Sequence, residues 1–187
     1  MILLKQILKM SDPKVLVLID ADVLIHLLKA DKVTLLNILF PDRIRVLDIV
    51  LTELLENRTV RSTIENIFIF KQAQEIKFPQ NLFGEFASLK DTIRGPGERA
   101  TLVYCRHNSH IIASSNTKDI VPYCKAHGMC YLTTLDIFCI AVNRIQMTDT
   151  EANACIKVIT KNNESYLCCE SIQDHRKHHF DPNKLLY

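Results

Sequence analysis

The sequence predicts an α/β fold built around a mostly parallel central sheet. Three observations carry this prediction. Val15 to Ile19 is an unbroken apolar run rich in β-branched residues, the pattern of a strand buried on both faces. Short apolar runs recur at Ile44 to Leu47, Ile111 to Ser114 and Met129 to Leu132, with helix-like stretches between them. Only 4 Gly and 6 Pro interrupt the 187 residues, so little prevents the intervening segments from being helical.

The elements follow in order. The first strand stops at Asp20, and Asp22 to Leu28 has helical spacing. A second helix runs from about Val33 to Leu39 and ends before Pro41. After the Ile44–Leu47 strand, helices cover Val50 to Glu56 and about Val60 to Phe70. Glu75 to Phe83, with Pro79 inside it, is strand or loop, and Glu85 to Ile93 is helical. Arg94-Gly95-Pro96-Gly97 is the clearest breaker in the chain, and Glu98 stands in the first turn of a helix to Arg106. A strand over Ile111 to Ser114 precedes a helix from Thr117 to His127, which Gly128 stops. The Met129–Leu132 strand and an apolar helix from Leu135 to Ile145 follow. Thr150, with Asn153 three positions on, starts a last amphipathic helix to about Thr160. From Glu164 to Tyr187 the chain is polar and His-rich. With no repeat or Pro/Ser/Gly linker, we divide it into an N-terminal extension (1–13), one domain (14–160) and a polar C-terminal tail (161–187).

Composition narrows the function. Apolar residues make up 48% and charged residues 24%, which excludes disordered and collagen-like classes. Lys plus Arg number 23 against 21 Asp plus Glu, for a formal charge of +2. That balance excludes a strongly basic nucleic-acid coat protein but not an enzyme with a local basic groove. No signal peptide or membrane-length apolar run is visible, and the seven Cys lie mostly in apolar stretches. Reduced thiols in a cytoplasm, with no membrane association, are therefore expected. Cys168-Cys169 followed by His175, His178 and His179 has no standard ligand spacing, so a polar terminal segment is expected there rather than a metal site.

Acidic residues are most informative where a parallel sheet places ligands, at the carboxyl ends of its strands. Asp20 and Asp22 close the first strand, and Asp119 lies just beyond the Ile111–Ser114 strand. Glu98 opens a helix, and Glu53 sits among Leu51, Leu54 and Leu55. Singly, each also suits a helix cap, a favourable helix-dipole position or an exposed face. Gathered together, these carboxylates would repel one another unless a cation or proton intervened. Oxygen-only ligands favour Mg²⁺ or Mn²⁺, whose chemistry on phosphate oxygens points to phosphodiester hydrolysis.

The same residues resemble the PIN-domain family of metal-dependent nucleases over roughly Lys14 to Val158. Val15-Leu16-Val17-Leu18-Ile19-Asp20-Ala21-Asp22 looks like the family's opening strand with its first metal-ligating Asp. Val50-Leu51-Thr52-Glu53-Leu54-Leu55 looks like the segment of the second acidic residue. Gly95-Pro96-Gly97-Glu98-Arg99-Ala100 is similar to the Gly-x-Gly-Glu-x-Ala segment of the third. The order of strand, helix and strand from Ile111 to Leu135 also matches. One departure is that Ser114-Ser115-Asn116-Thr117 stands where the family usually has an Asp, and another is that Thr133 replaces a late Gly.

The resemblance implies a PIN-like α/β/α sandwich and a Mg²⁺- or Mn²⁺-dependent endoribonuclease acting on RNA. Many proteins of that family are toxins of toxin–antitoxin pairs, often dimeric and blocked by a small antitoxin, so a toxin role, an antitoxin protein as partner and a homodimer are what the resemblance makes open to this chain. Asp20, Glu98 and either Asp119 or Asn116 would hold the ion, and Glu53 would complete the charge or position a water. Asp22 and Ser115 would meet the substrate; Arg94, Arg99 and Lys118 suit either steering of its phosphate backbone or solvated helix ends. Two other readings stay open. A haloacid-dehalogenase-like phosphatase also uses Asp-x-Asp after an apolar strand, although Val23-Leu24 follows here. A catalytically degenerate PIN-like domain would bind RNA or a partner protein.

Overall fold

The computed structural model describes residues 12–56, 61–69, 72–161 and 165–181. The first strand, β1 (Val17–Ile19), is wholly buried, as its uniform apolar character requires. Helices α1 (Ala21–Lys29) and α2 (Thr34–Leu39) follow, then β2 (Ile44–Leu47). Next come α3 (Asp48–Glu56), α4 (Arg61–Ile69) and β3 (Gln74–Ile76). After a 3₁₀ turn at Gln80–Leu82 the chain forms α5 (Phe83–Ser88), α6 (Pro96–Asn108) and β4 (Ile111–Ala113). The remainder is α7 (Thr117–His127), β5 (Tyr131–Leu132), α8 (Thr134–Asn143), α9 (Asp149–Thr160) and α10 (Ile172–His178).

All five strands pair in parallel in the order β3-β2-β1-β4-β5, so the predicted α/β class holds. Parallel neighbours need crossover connections, and every one of these carries helix. β1 lies at the centre, with β2 and β4 on either side. The chain order therefore reverses beside β1, and in an open parallel sheet such a reversal makes the carboxyl edge of the two strands, here β1 and β4, the expected ligand crevice. The flanking helices seal the sheet. α6 packs on α3, α5 and α7, while α8 packs on α1, α2, α9 and α10. Among the described residues no helix is long and apolar enough to cross a membrane.

Several boundaries differ from the predicted ones. The helix predicted over Glu85 to Ile93 begins at Phe83 and ends at Ser88; Lys90 and Thr92 then turn back onto Ala87 and Leu89 through backbone hydrogen bonds. The last predicted helix is capped by Thr148 and Glu151 rather than by Thr150 and Asn153. The Thr148 hydroxyl accepts from the Glu151 N–H while the Glu151 carboxylate accepts from the Thr148 N–H. Asn153 instead accepts the Ile172 N–H at 2.8 Å, fastening the start of α10. The His-rich segment expected as a polar tail thus contains a docked helix whose Ile172 and His175 are buried. The apolar residues Ile2 to Leu8 and both outer ends of the predicted Val60–Phe70 helix lie outside the described residues.

Candidate functional site

The crevice edge is lined by carboxylates. Asp20 follows β1 in extended backbone at the N-cap position of α1, where its side chain makes no capping hydrogen bond and instead feels the charges of Asp22, Glu98 and Glu53. Glu98 reaches the same place from the first turn of α6. The Gly95-Pro96-Gly97 breaker starts this helix, with Pro96 in the first turn, where its missing N–H costs nothing. Asp20 is 7% exposed and Glu98 5%. Asp22 and Glu53 are half-buried, and so is Asp119 at the rim, in the first turn of α7.

Burial, and for Asp20 and Glu98 also repulsion between the acids, shows in their acidity. Burial, then the charges of Asp22, Glu98 and Glu53, holds the Asp20 carboxyl well above the usual carboxylate range. Burial, with Asp119 and Asp22 adding, pushes Glu98 up to about 7. Burial also raises Asp22, against hydrogen bonds that favour its ionised form. The ion pairs among the described residues join Glu85 to Arg106 and His107, Asp136 to His175 and Asp149 to Arg176. None of them neutralises this cluster.

Polar groups at the end of β4 hold the acids in place. The Ser115 N–H donates to Asp22 Oδ2 at 2.8 Å, and Asp22 Oδ1 accepts the Val23 N–H at 2.6 Å. The Ser114 hydroxyl lies 3.3 Å from Glu98 Oε1 and 3.5 Å from Asp22 Oδ2. Asn116 donates its amide Nδ2 to Glu98 Oε2 at 3.2 Å and to Asp119 Oδ2 at 3.0 Å. It therefore ties two carboxylates together and turns its nitrogen, not its carbonyl, toward them. On the far side, Glu53 Oε1 accepts the Gly97 N–H at 3.1 Å. A side chain at Gly97 would come within 2.7 Å of Glu53 Oε2 and 3.0 Å of Val50 Cγ2, so α3 and α6 approach closely because this residue has no Cβ.

Five predicted acids thus share one crevice edge, though no three of their carboxylates come within 4.8 Å of one another, as Cys168, Cys169 and His175 do. Ser115 lies in the same place. Arg94 and Lys118 are exposed, on the loop before α6 and in the first turn of α7. Arg99 faces elsewhere. It is 7% exposed, stacks 4.8 Å over the Phe86 ring, and donates to the Ile93 and Arg94 carbonyls, so it braces the loop that launches α6.

The sequence reading missed the groups behind the site. Ser115 Oγ lies 2.9 Å from Thr134 Oγ1, which lies 2.9 Å from Nδ1 of buried His26. Burial, with Lys29 nearby, lowers His26 to about 4, so a neutral imidazole supports this chain. Its sequence signal is faint, a hydroxyl residue just after each of two late strands. His107 pairs with Glu85, and His110 accepts the Leu16 N–H, so neither faces the cluster. Compared with known proteins, the chain matches no family model, no curated protein and no solved structure.

Proposed function

We propose that this chain is a Mg²⁺- or Mn²⁺-dependent endoribonuclease that hydrolyses RNA phosphodiester bonds at the Asp20–Glu98 cluster. What supports this most is a pair of buried carboxyls without a matching positive charge: two acids over nine-tenths buried, both raised in pKa and neither in an ion pair among the described residues. The donor set fits a hard divalent cation, because every candidate ligand is an oxygen. When bound, such a cation neutralises charge on phosphate and makes water a better nucleophile.

The chain's own groups would do the rest. Asp20 and Glu98 would hold the cation at the base of the crevice, with Asp119 at the rim. Asn116 would need to turn its amide to offer oxygen. Ser114 fixes the Glu98 carboxylate, and the Ser115 N–H fixes Asp22. Glu53 would hold a water beside Gly97. Exposed Arg94 and Lys118 would draw in the phosphate backbone, whereas buried Arg99 would not. The toxin role, antitoxin partner and homodimer implied by the family resemblance belong to the same proposal.

The test is cleavage of single-stranded RNA in Mn²⁺, with Asp20→Asn as control. Losing one such charged group should lower the rate at least about 10²-fold. Equal activity in the two proteins would point to a contaminant or a wrong site. The open spacing of the carboxylates favours one second reading, a degenerate domain that binds RNA or a partner protein without cleaving. In that case Mn²⁺ at millimolar concentration would not bind, and RNA would bind without being cut.

A further inference from the structure

Cys168 and Cys169 precede His175 at a spacing that matches no familiar metal motif, yet the fold brings them together. The segment leading into α10 places both sulfurs and a ring nitrogen of His175 within 4.8 Å of one another. His175 Nδ1 lies 3.6 Å from Cys168 Sγ. Two ligands on one tetrahedral Zn²⁺, with Zn–S near 2.3 Å and Zn–N near 2.0–2.1 Å, also stand about 3.6 Å apart.

The histidine is oriented for this role. His175 is 2% exposed, and its Nε2 lies 3.0 Å from Oδ1 of Asp136, which is 1% exposed. Asp136 cannot swing away, because its Oδ2 accepts the Thr133 N–H at 2.8 Å in the capping box that starts α8. With Nε2–H donating to Asp136, Nδ1 is left with a lone pair directed toward the sulfurs. This is the tautomer a metal-ligating histidine needs, held by the carboxylate–histidine pairing common behind such ligands. Cys168 and Cys169 are half-exposed, so a cation can arrive from solvent and keep a fourth position open to it. Two thiolates, one imidazole and no free carboxylate make a soft donor set, the opposite of the oxygen-lined crevice.

We propose that Cys168, Cys169 and His175 form a zinc site, separate from the carboxylate cluster, that ties the segment leading into α10 to the buried histidine of that helix. Binding one Zn²⁺ forms two Zn–S bonds and one Zn–N bond. It releases the two thiol protons to solvent, which leaves the site without net charge.

The test uses the reduced full-length chain, stripped with a chelator and titrated with Co²⁺ as a spectroscopic substitute. The expected result is thiolate-to-cobalt charge-transfer absorption with the visible bands of tetrahedral Co²⁺. It should saturate at one equivalent and be displaced by Zn²⁺. Cys169→Ser, a near-isosteric change at a half-exposed position, should abolish the charge-transfer band. Asp20→Asn, in the other site, should leave the band unchanged. Zn²⁺ should also raise the Tm of the wild-type chain but not of Cys169→Ser. Absence of a thiolate band in wild type, or its persistence at full intensity in both Cys168→Ser and Cys169→Ser, would overturn the proposal.

Discussion

Replacing Glu98 by Gln should make the cation-free protein more stable at pH 8, although deleting a buried, hydrogen-bonded carboxylate ordinarily destabilises. Glu98 is 5% exposed, and burial, Asp119 and Asp22 raise its carboxyl from 4.5 to about 7. The folded chain therefore binds this proton more tightly than the unfolded chain does. The contribution to stability is fully present below about pH 4.5 and is lost as pH rises through about 7. At about 1.4 kcal/mol per pKa unit, keeping Glu98 ionised at pH 8 costs roughly 3 kcal/mol. Gln removes that cost but weakens the hydrogen bonds from Ser114 and Asn116, worth about 1 kcal/mol. The net gain is about 2 kcal/mol in chelator at pH 8, measurable by urea unfolding. Near pH 4.5 the sign should reverse, because the wild-type carboxyl is then protonated and only the hydrogen-bond loss remains. Saturating Mn²⁺ should stabilise wild type more than Glu98→Gln and close the gap at pH 8. A variant less stable than wild type in chelator at pH 8, or a difference that does not change between pH 5 and pH 8, would refute the reasoning.

Two further outcomes follow from the same neighbourhood. Gly97→Ala, which in an ordinary helix would stabilise by up to about 1 kcal/mol, should here destabilise by about 1–3 kcal/mol. The new methyl would press on Glu53 Oε2 and the fully buried Val50, and an unchanged or higher Tm would show that α3 and α6 separate freely. His26 is 4% exposed, and burial together with Lys29 lowers it from 6.5 to about 4. Its contribution is present above about pH 6.5 and is lost as pH falls through about 4, opposite in sign to that of Glu98. Thermal unfolding of His26→Gln across pH 4 to 7 should therefore show a smaller acid-side loss than wild type. Equal losses would assign the titration to another group.

Much of the fold is legible because secondary structure is written locally. A short apolar run without alternation and rich in β-branched residues suits a strand covered on both faces, and Val17–Ile19 is such a strand, fully buried. Gly128 ends α7 at φ 61°, a left-handed conformation that its neighbours enter only at a cost. Asp20 could be singled out for the same reason, since a strand that stops must hand its last side chain to the sheet edge. Where local signals competed, boundaries slipped. Thr148 and Thr150 both offered a hydroxyl before the last amphipathic helix. Only Thr148 has Glu151 three residues later to complete a reciprocal cap.

Other features depended on which distant segments meet. Asp22 is held by a backbone group 93 residues away, and Arg99, a basic residue beside a candidate ligand, turns inward to Phe86. Cys168, Cys169 and His175 fit no spacing rule, because the chain between them does not lie along one helix or strand. Asp136, 39 residues from His175, supplies the orientation. The sequence alone determined the α/β class, most strand and helix positions and the acids at the strand ends, because hydrophobic period and capping act over a few residues. Only tertiary structure decided the strand order, the convergence of the carboxylates and the Cys–His cluster, because these follow from crossovers that bring together groups far apart in the chain.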